Sequence, residues 1–584
     1  MRGKGYNVSI DNLTHFDRHF FDGKETFTYI GTGELGGKAQ GLAFVRDLLA
    51  RRYDPNEFPQ ITVAVPTLAV VATGAFDSFM EENNLRDIAS SDLRDDQIAH
   101  AFQKASLPPE LVGDLRALIS KVHTPLAIRS SSLLEDALYE PFAGVYATKM
   151  IPNNQFDEDS RFHRLTEAIK FVYASTFFKS ARDYVRATAQ DVSSEKMAVI
   201  IQETVGLRYG DRFYPTIAGV GRSFNYYPSG KARPEEGVVD LALGLGKTIV
   251  DGGVAYSYSP TYPNANPVYG SIDGLLDQSQ NDFWAVNMGK PPEYDPIRET
   301  EYLTKEMLAV AEQDGTLRFV ASTYKPQEDR IVLGIGTPGP RLVDFSPVLK
   351  VDQIPLNKLI KRLLALCQEE VRSAVEIEFA VTIDPVNPSR ARFGFLQVRP
   401  MVVSDAVVDV DESELGRPDA VIASDRVMGN GALDTIRDIV YVVPETFNAA
   451  NTREIALELE QMNRSLLDAG RPYLLVGFGR WGSSDPWLGI PVNWGQISGA
   501  RVIVEATLPN MNVDLSQGSH FFHNISSFQV LYFCVHHLGK HTIRWDWLAA
   551  QRTMSQAAHV RHVALEKPLG VKVDGRTGRG VIIA

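Results

Sequence analysis

The sequence predicts an α/β protein built as two unequal units, and three observations predict it. Strand-like and helix-like segments alternate through the first 400 residues. A shorter stretch after them repeats the mixture with its own strands, helix and closing hairpin. Between the two lies VVSDAVVDVDESELGRPDA, which is acidic, carries a proline and has little periodicity, as linkers between folding units do. The expected boundaries are 1–401, a linker at 402–418, and a smaller mixed α/β unit at 419–584. At 584 residues the chain is long enough for about three or four cores of typical size.

The elements follow in order. TFTYI (26–30) reads as a strand, runs into the glycine-rich GTGELGGKAQG, and is followed by AFVRDLLARR with the apolar spacing of a helix. ITVAVP and LAVVAT read as strands, and GAFDSFMEENNL as a helix. PPELVGDLRALISKVH reads as a helix opened by proline, whose missing N–H costs nothing in a first turn. LAIRSSS is a strand leaving into a polar loop, and Arg161 to Thr188 forms one long amphipathic stretch. KMAVIIQETV, apolar and β-branched, fits a buried strand. From Tyr258 to Pro296 the chain is rich in Pro, Tyr, Asn, Asp and Gly, which predicts a surface excursion. A helix in LNKLIKRLLALCQEEVRSA and two strands, VEIEFAVTID and RFGFLQVRP, close the first unit. The second unit shows strands in DIVYVVP, YLLVGFG and GARVIVEATL, a helix in REIALELEQMNRSLLDAG, and a hairpin around Asp574-Gly575.

Composition narrows the function classes. Lys plus Arg number 59 against 72 Asp plus Glu, a formal net charge of −13, so there is no general attraction to nucleic acid or an anionic membrane. Neither partner is expected. Two cysteines, Cys367 and Cys534, are too few for a disulfide framework or a thiolate zinc site and suit a reducing cytoplasm. The first residues have no apolar signal core, and no apolar run approaches the roughly 18 residues that span a bilayer. A cytoplasmic setting is the expectation.

GTGELG, Gly31 to Gly36, satisfies a dinucleotide-binding pattern after a strand. The next strand, however, ends in Val65 and Pro66 where a ribose-binding acid would be expected. A P-loop fails as well, because Thr32 and Leu241 occupy the positions of its first glycine ahead of Lys38 and Lys247. What remains is a flexible loop whose amides can approach phosphate oxygens and whose Lys38 adds a mobile charge. Arg129, followed by three serines, supplies donors suited to an anion, although an arginine at a strand end commonly makes a surface ion pair. Residues two apart on a strand share a face. Glu376 and Glu378 therefore stand together, as do Gln397 and Arg399. Two carboxylates side by side repel unless a cation lies between them, and Mg²⁺ takes such ligands; a merely solvated face needs no metal.

Taken in order, these pieces resemble the ATP-grasp nucleotide-binding domain of the phosphoenolpyruvate synthase and pyruvate phosphate dikinase family. The matching motifs are Gly36-Gly37-Lys38, Arg129-Ser130-Ser131 with Glu135-Asp136 and Phe142-Ala143-Gly144, Met197 to Gln202, Gly244-Leu245-Gly246, Glu378-Phe379, and Gln397 to Pro400. The resemblance covers roughly residues 27 to 401. It implies that Lys38 and Arg129 hold ATP phosphates and that Arg399 stabilises charge on the transferring phosphoryl group. It further implies that Glu376 and Glu378 ligate Mg²⁺, that Gln397 contacts phosphate or metal, and that adenine lies against Gln202, Glu203 and Val205. Full family members continue into a swivelling phosphohistidine domain and a pyruvate-binding barrel. A barrel of about 250 residues does not fit in the residues after 401, so complete phosphoenolpyruvate synthesis by this chain alone is not expected; whether a separate partner chain supplies a pyruvate site is left open. The slight echo of the phosphohistidine motif is Gln517 to His523, with His520 as the candidate acceptor. GFGRWG could bind an anion or simply turn a corner. The expected activity is an ATP- and Mg²⁺-dependent kinase, a phosphotransferase performing a dikinase-type half-reaction on His520 or an unidentified acceptor. The alternative is a catalytically silent ATP-binding sensor. A homo-oligomer is compatible with either.

Overall fold

A computed structural model describes residues 13–509 and 530–584 except 20, 25, 90, 92, 133–134, 136–144, 188–194, 227, 229–230, 252, 265–278, 353, 402, 404–407, 484 and 486. Asp136, Phe142-Ala143-Gly144 and His520 lie outside the described residues.

Two six-stranded sheets organise the first 400 residues. One runs Thr14–His15, Phe27–Ile30, Leu68–Val71, Met197–Glu203, Leu126–Ser132, Thr148–Ile151, parallel over its first three strands and antiparallel thereafter. The other runs Tyr256–Tyr258, Val238–Ala242, Ile217–Arg222, Val375–Ile383, Ala391–Pro400, Ile61–Ala64. It is antiparallel except where Ile61–Ala64 joins parallel to Ala391–Pro400. The helix Gly37–Arg52 lies between them, touching both Leu126–Ser132 and Ala391–Pro400.

The helices bury the stripes their sequences carry. Pro109–Lys121 begins with its proline in the first turn and buries Leu111, Leu115, Leu118 and Ile119, spaced three and four apart. Leu356–Val371 buries Leu359, Ile360, Leu363, Leu364 and Leu366 and ends where Arg372 turns left-handed at φ 60°. Each such side chain contributes about 1.5–3 kcal/mol of apolar burial.

The amphipathic stretch from about Arg161 to Thr188 folds as two helices, Glu158–Ser175 and Lys179–Ala187, and one expectation beyond it needs correction. The break falls where Phe177 turns inward to pack against the rings of Phe76 and Phe102; burying that ring outweighs one more helical turn. The expected surface excursion at Tyr258 to Pro296 contains a strand, Asp282–Asn287, whose Phe283, Ala285 and Val286 are buried. Polar and turn residues flank it and hide its short alternation.

The residues after 419 form a seven-stranded sheet. Four strands, Asp438–Val442, Tyr473–Phe478, Ala500–Ala506 and Leu531–Val535, run parallel, and the helix Thr452–Asp468 joins the first two. Gly479 turns left-handed at φ 70° after its strand. Trp481 is buried there with its indole N–H donated to the Val504 carbonyl at 3.2 Å, so GFGRWG turns a corner. The expected hairpin forms from Gly570–Asp574 and Arg579–Ile583. One apolar cluster continues from Phe102, Tyr173 and Ala181 into Trp494, Val502 and Leu531, and Lys179 pairs across this seam with Glu460. Among the described residues no helix is long and apolar enough to cross a membrane, and both cysteines are buried and free.

Candidate functional site

Lys38 is the second residue of the helix Gly37–Arg52. Gly36 precedes the helix at φ 77°, and a Cβ there would meet the Ser131 carbonyl oxygen at 1.8 Å. Only glycine allows this approach. The contact is sealed by Ser131 Oγ, which accepts the Ala39 N–H at 3.1 Å and donates to the Leu35 carbonyl at 2.8 Å. Lys38 Nζ thereby reaches Glu135 Oε1 at 2.7 Å and Ser130 Oγ at 3.1 Å. Glu135 is held in turn by the Ser130 hydroxyl at 2.9 Å and the Ser132 N–H at 3.0 Å.

Arg129 projects from the first sheet onto the second. It donates to Gln202 Oε1 at 3.2 Å on its own sheet, then to the Leu396 carbonyl and Gln397 Oε1, each at 2.8 Å, on the other. Glu378 Oε2 lies 3.8 Å away. Cross-strand register then sets Glu376 opposite Arg399 and Glu378 opposite Gln397. The cation between the two glutamates is the Arg399 guanidinium: Nε donates to Glu376 Oε1 at 2.6 Å and Nη2 to Glu378 Oε1 at 3.0 Å.

These groups meet in a cleft of about 290 Å³ between the sheets. Lys38, Arg129, Gln202, Glu203, Val205, Glu378, Gln397 and Arg399 all line it, whereas Glu376 lies behind Arg399. The segment 202–205 is held by backbone bonds, Glu203 N–H to Thr67 O at 2.9 Å and Thr204 N–H to Pro125 O at 2.8 Å. Val205 fills the space over Gly394, where an added Cβ would lie 2.4 Å from its methyl. Ala127, Met150, Leu303 and Leu396 give the cleft an apolar wall suited to a flat ring.

Sequence reasoning missed four charged residues here. Lys247 and Asp251 pair at 3.0 Å and line the cleft with Glu299. Burial, against the opposing pull of Lys247, raises the Glu299 carboxyl above its ordinary value. Arg222, half-buried behind Glu376, donates Nε to Glu376 Oε2 at 2.6 Å. Only Lys247 had a signal, its position after Gly244-Leu245-Gly246; the others carry no motif.

Two sheets closing on a cleft lined by cations, carboxylates and an apolar wall are the features of an α/β protein of the nucleotide-binding class. The family model for pyruvate phosphate dikinase, AMP/ATP-binding domain, matches residues 32–415. Covering more than half of the 584 residues, the match shows that the chain belongs to this family. It ends inside the expected linker at 402–418. No curated protein matches the chain.

Proposed function

We propose that this chain binds ATP with Mg²⁺ in the cleft between its two sheets and transfers a phosphoryl group, the ATP-cleaving half of a dikinase-type reaction. The observation that carries the reading is that Lys38, Arg129 and Arg399, from separate elements, line one cleft together with the 202–205 segment. Phosphoryl transfer asks chiefly for positioning and for neutralisation of charge developing on the phosphate oxygens, and three cations lining one cleft are suited to both. In this reading Lys38 and Arg129 hold the phosphates, Arg399 faces the transferring group, and Gln202, Glu203 and Val205 receive adenine.

The donor set fits magnesium. Glu378 and Gln397 line the cleft, with Glu378 Oε2 and Gln397 Oε1 at 3.8 and 2.8 Å from Arg129 Nη2, and Mg²⁺ commonly takes one or two protein oxygens, completing its shell with phosphate and water. Among the described residues, eight charged side chains line the cleft, four of each sign: Lys38, Arg129, Lys247 and Arg399 against Glu203, Asp251, Glu299 and Glu378. A bare polyphosphate gains little net attraction from such a balance, so the metal would supply the missing positive charge. Glu378 and Gln397 would hold it; Glu376 would join only by releasing an arginine.

The chain divides in this reading near residues 402–418. The continuous apolar cluster and the Lys179 pair favour a fixed seat for the smaller unit over a swinging arm, so we infer that the acceptor comes to the cleft. ATP labelled at the β or γ phosphate tests the reading directly. Release of AMP supports the dikinase type and release of ADP a simple kinase. Acid-labile label on the chain that is lost in His520→Ala would identify that histidine as acceptor. A silent sensor is the second reading, favoured by the carboxylate partners that Lys38, Arg129 and Arg399 already hold; ATP binding without product would establish it.

A further inference from the structure

We propose that Arg222 and Asp240 are positioning residues for Arg399, acting through a ladder of alternating charge in which Glu376 stays bound to two arginines and leaves metal ligation to Glu378. The inference rests on the ATP and Mg²⁺ reading above.

The ladder crosses five neighbouring strands of the second sheet. Ser257 stands opposite Asp240, Arg222 opposite Glu376, and Glu376 opposite Arg399. The Ser257 hydroxyl donates to Asp240 Oδ1. Arg222 donates Nη1 to Asp240 Oδ2 and Nε to Glu376 Oε2, both at 2.6 Å. Arg399 takes the other Glu376 oxygen at 2.6 Å and continues to Glu378 at 3.0 Å.

The physical consequence follows from burial. Asp240, Glu376 and Arg399 are at most 4% exposed, and a buried charge stripped of its partner is strongly disfavoured. Burial works against the charge of Arg222, and Glu376 and Asp240 more than offset it, so its guanidinium holds its proton more firmly than usual. With both carboxylate oxygens engaged, Glu376 has one orientation, and that orientation fixes where Arg399 meets the cleft. For Glu376 to ligate a metal, it would have to give up its bond to Arg222, which would keep Asp240, or its bond to Arg399, which would keep Glu378, and so break the ladder at its centre. Glu378 is less constrained: it lines the cleft, one oxygen holds Arg399 at 3.0 Å, and among the described residues its second oxygen has as an ion pair the longer 3.8 Å contact with Arg129.

The full chain tests this with ATP and with Mn²⁺ as probe. Glu378→Gln should weaken Mn²⁺ binding in the presence of ATP by about tenfold or more, and Glu376→Gln by less than about threefold. Arg222→Met and Asp240→Asn should lower the kcat of ATP cleavage by about tenfold or more while KM for ATP moves little, with Arg222→Lys intermediate because it keeps the charge and loses the fork. Equal loss of Mn²⁺ in both glutamate variants overturns the inference. So does wild-type kcat in the Arg222→Met and Asp240→Asn chains, or a parallel fall of kcat, KM and melting temperature that Arg222→Lys does not relieve. If the wild type binds ATP and Mn²⁺ without cleavage, the glutamate comparison alone decides. If it binds no ATP, the functional reading itself fails and takes this inference with it.

Discussion

Replacing Lys38 by methionine should separate the structural work of this residue from its work on a ligand. Its side chain is 10% exposed and that of Glu135 1%, with 2.7 Å between the charges. Removing one member of a buried pair costs about 3–5 kcal/mol, mostly because the other charge is left unpaired. Glu135 keeps the Ser130 hydroxyl and the Ser132 amide, which places the expected loss near the lower end. About 3 kcal/mol corresponds to roughly 150-fold in an opening equilibrium. Native-state hydrogen exchange of the Leu126–Ser132 strand should therefore accelerate by about that factor. Adding Glu135→Gln removes the stranded charge, so the double variant should regain most of the protection. Calorimetric titration should nevertheless show ATP affinity lost in both variants. The reasoning is refuted if Lys38→Met changes exchange by less than about tenfold, or if the double variant is no better protected than the single. Unchanged ATP affinity in Lys38→Met would refute the assignment of Lys38 to phosphate.

Further predictions follow from the same geometry. Gly36→Ala places a Cβ against the Ser131 carbonyl at a left-handed φ, so it should destabilise by about 2 kcal/mol or more and depress ATP affinity by displacing Lys38; a thermal melt and a nucleotide titration check both. Because burial raises Glu299 above its ordinary 4.5, the folded state binds that proton more tightly than the unfolded one. Its contribution to stability is thus complete below pH 4.5 and is lost as pH rises through the folded value. Glu299→Gln should then gain on the parent in denaturant midpoint as pH rises above 4.5, and a constant difference across pH would refute this. Asp438, buried and bound by Arg471 at 2.6 and 2.9 Å and by His562 at 2.7 Å, anchors the smaller unit. Asp438→Asn should lower its stability by about 3 kcal/mol or more, read as faster exchange in the Asp438–Val442 and Val560–Ala564 strands.

Much of the first unit was legible because its signals are local. A strand, a glycine turn and a helix in succession announced the Lys38 loop, and the period of two put Glu376 beside Glu378 and Gln397 beside Arg399. The break at Phe177 was not legible, because what ends the helix is a ring docking against Phe76 and Phe102 from distant segments. The strand at Asp282–Asn287 was hidden for a similar reason: its flanks read as loop, and its burial depends on neighbours elsewhere in the chain.

The sequence alone determined which chemistry-bearing residues exist, in what order and on which face of each strand, since those follow from period and turn chemistry over a few residues. Which charges satisfy one another was decided only in three dimensions. The Arg129 bond to Gln397 joins residues 268 apart, and that of Arg222 to Glu376 joins residues 154 apart. Such pairs form because strand register and the meeting of two sheets bring buried charges within reach, and a buried charge must take a partner wherever the fold provides one. The same constraint put Arg399 between the two glutamates, where the sequence alone had suggested a metal.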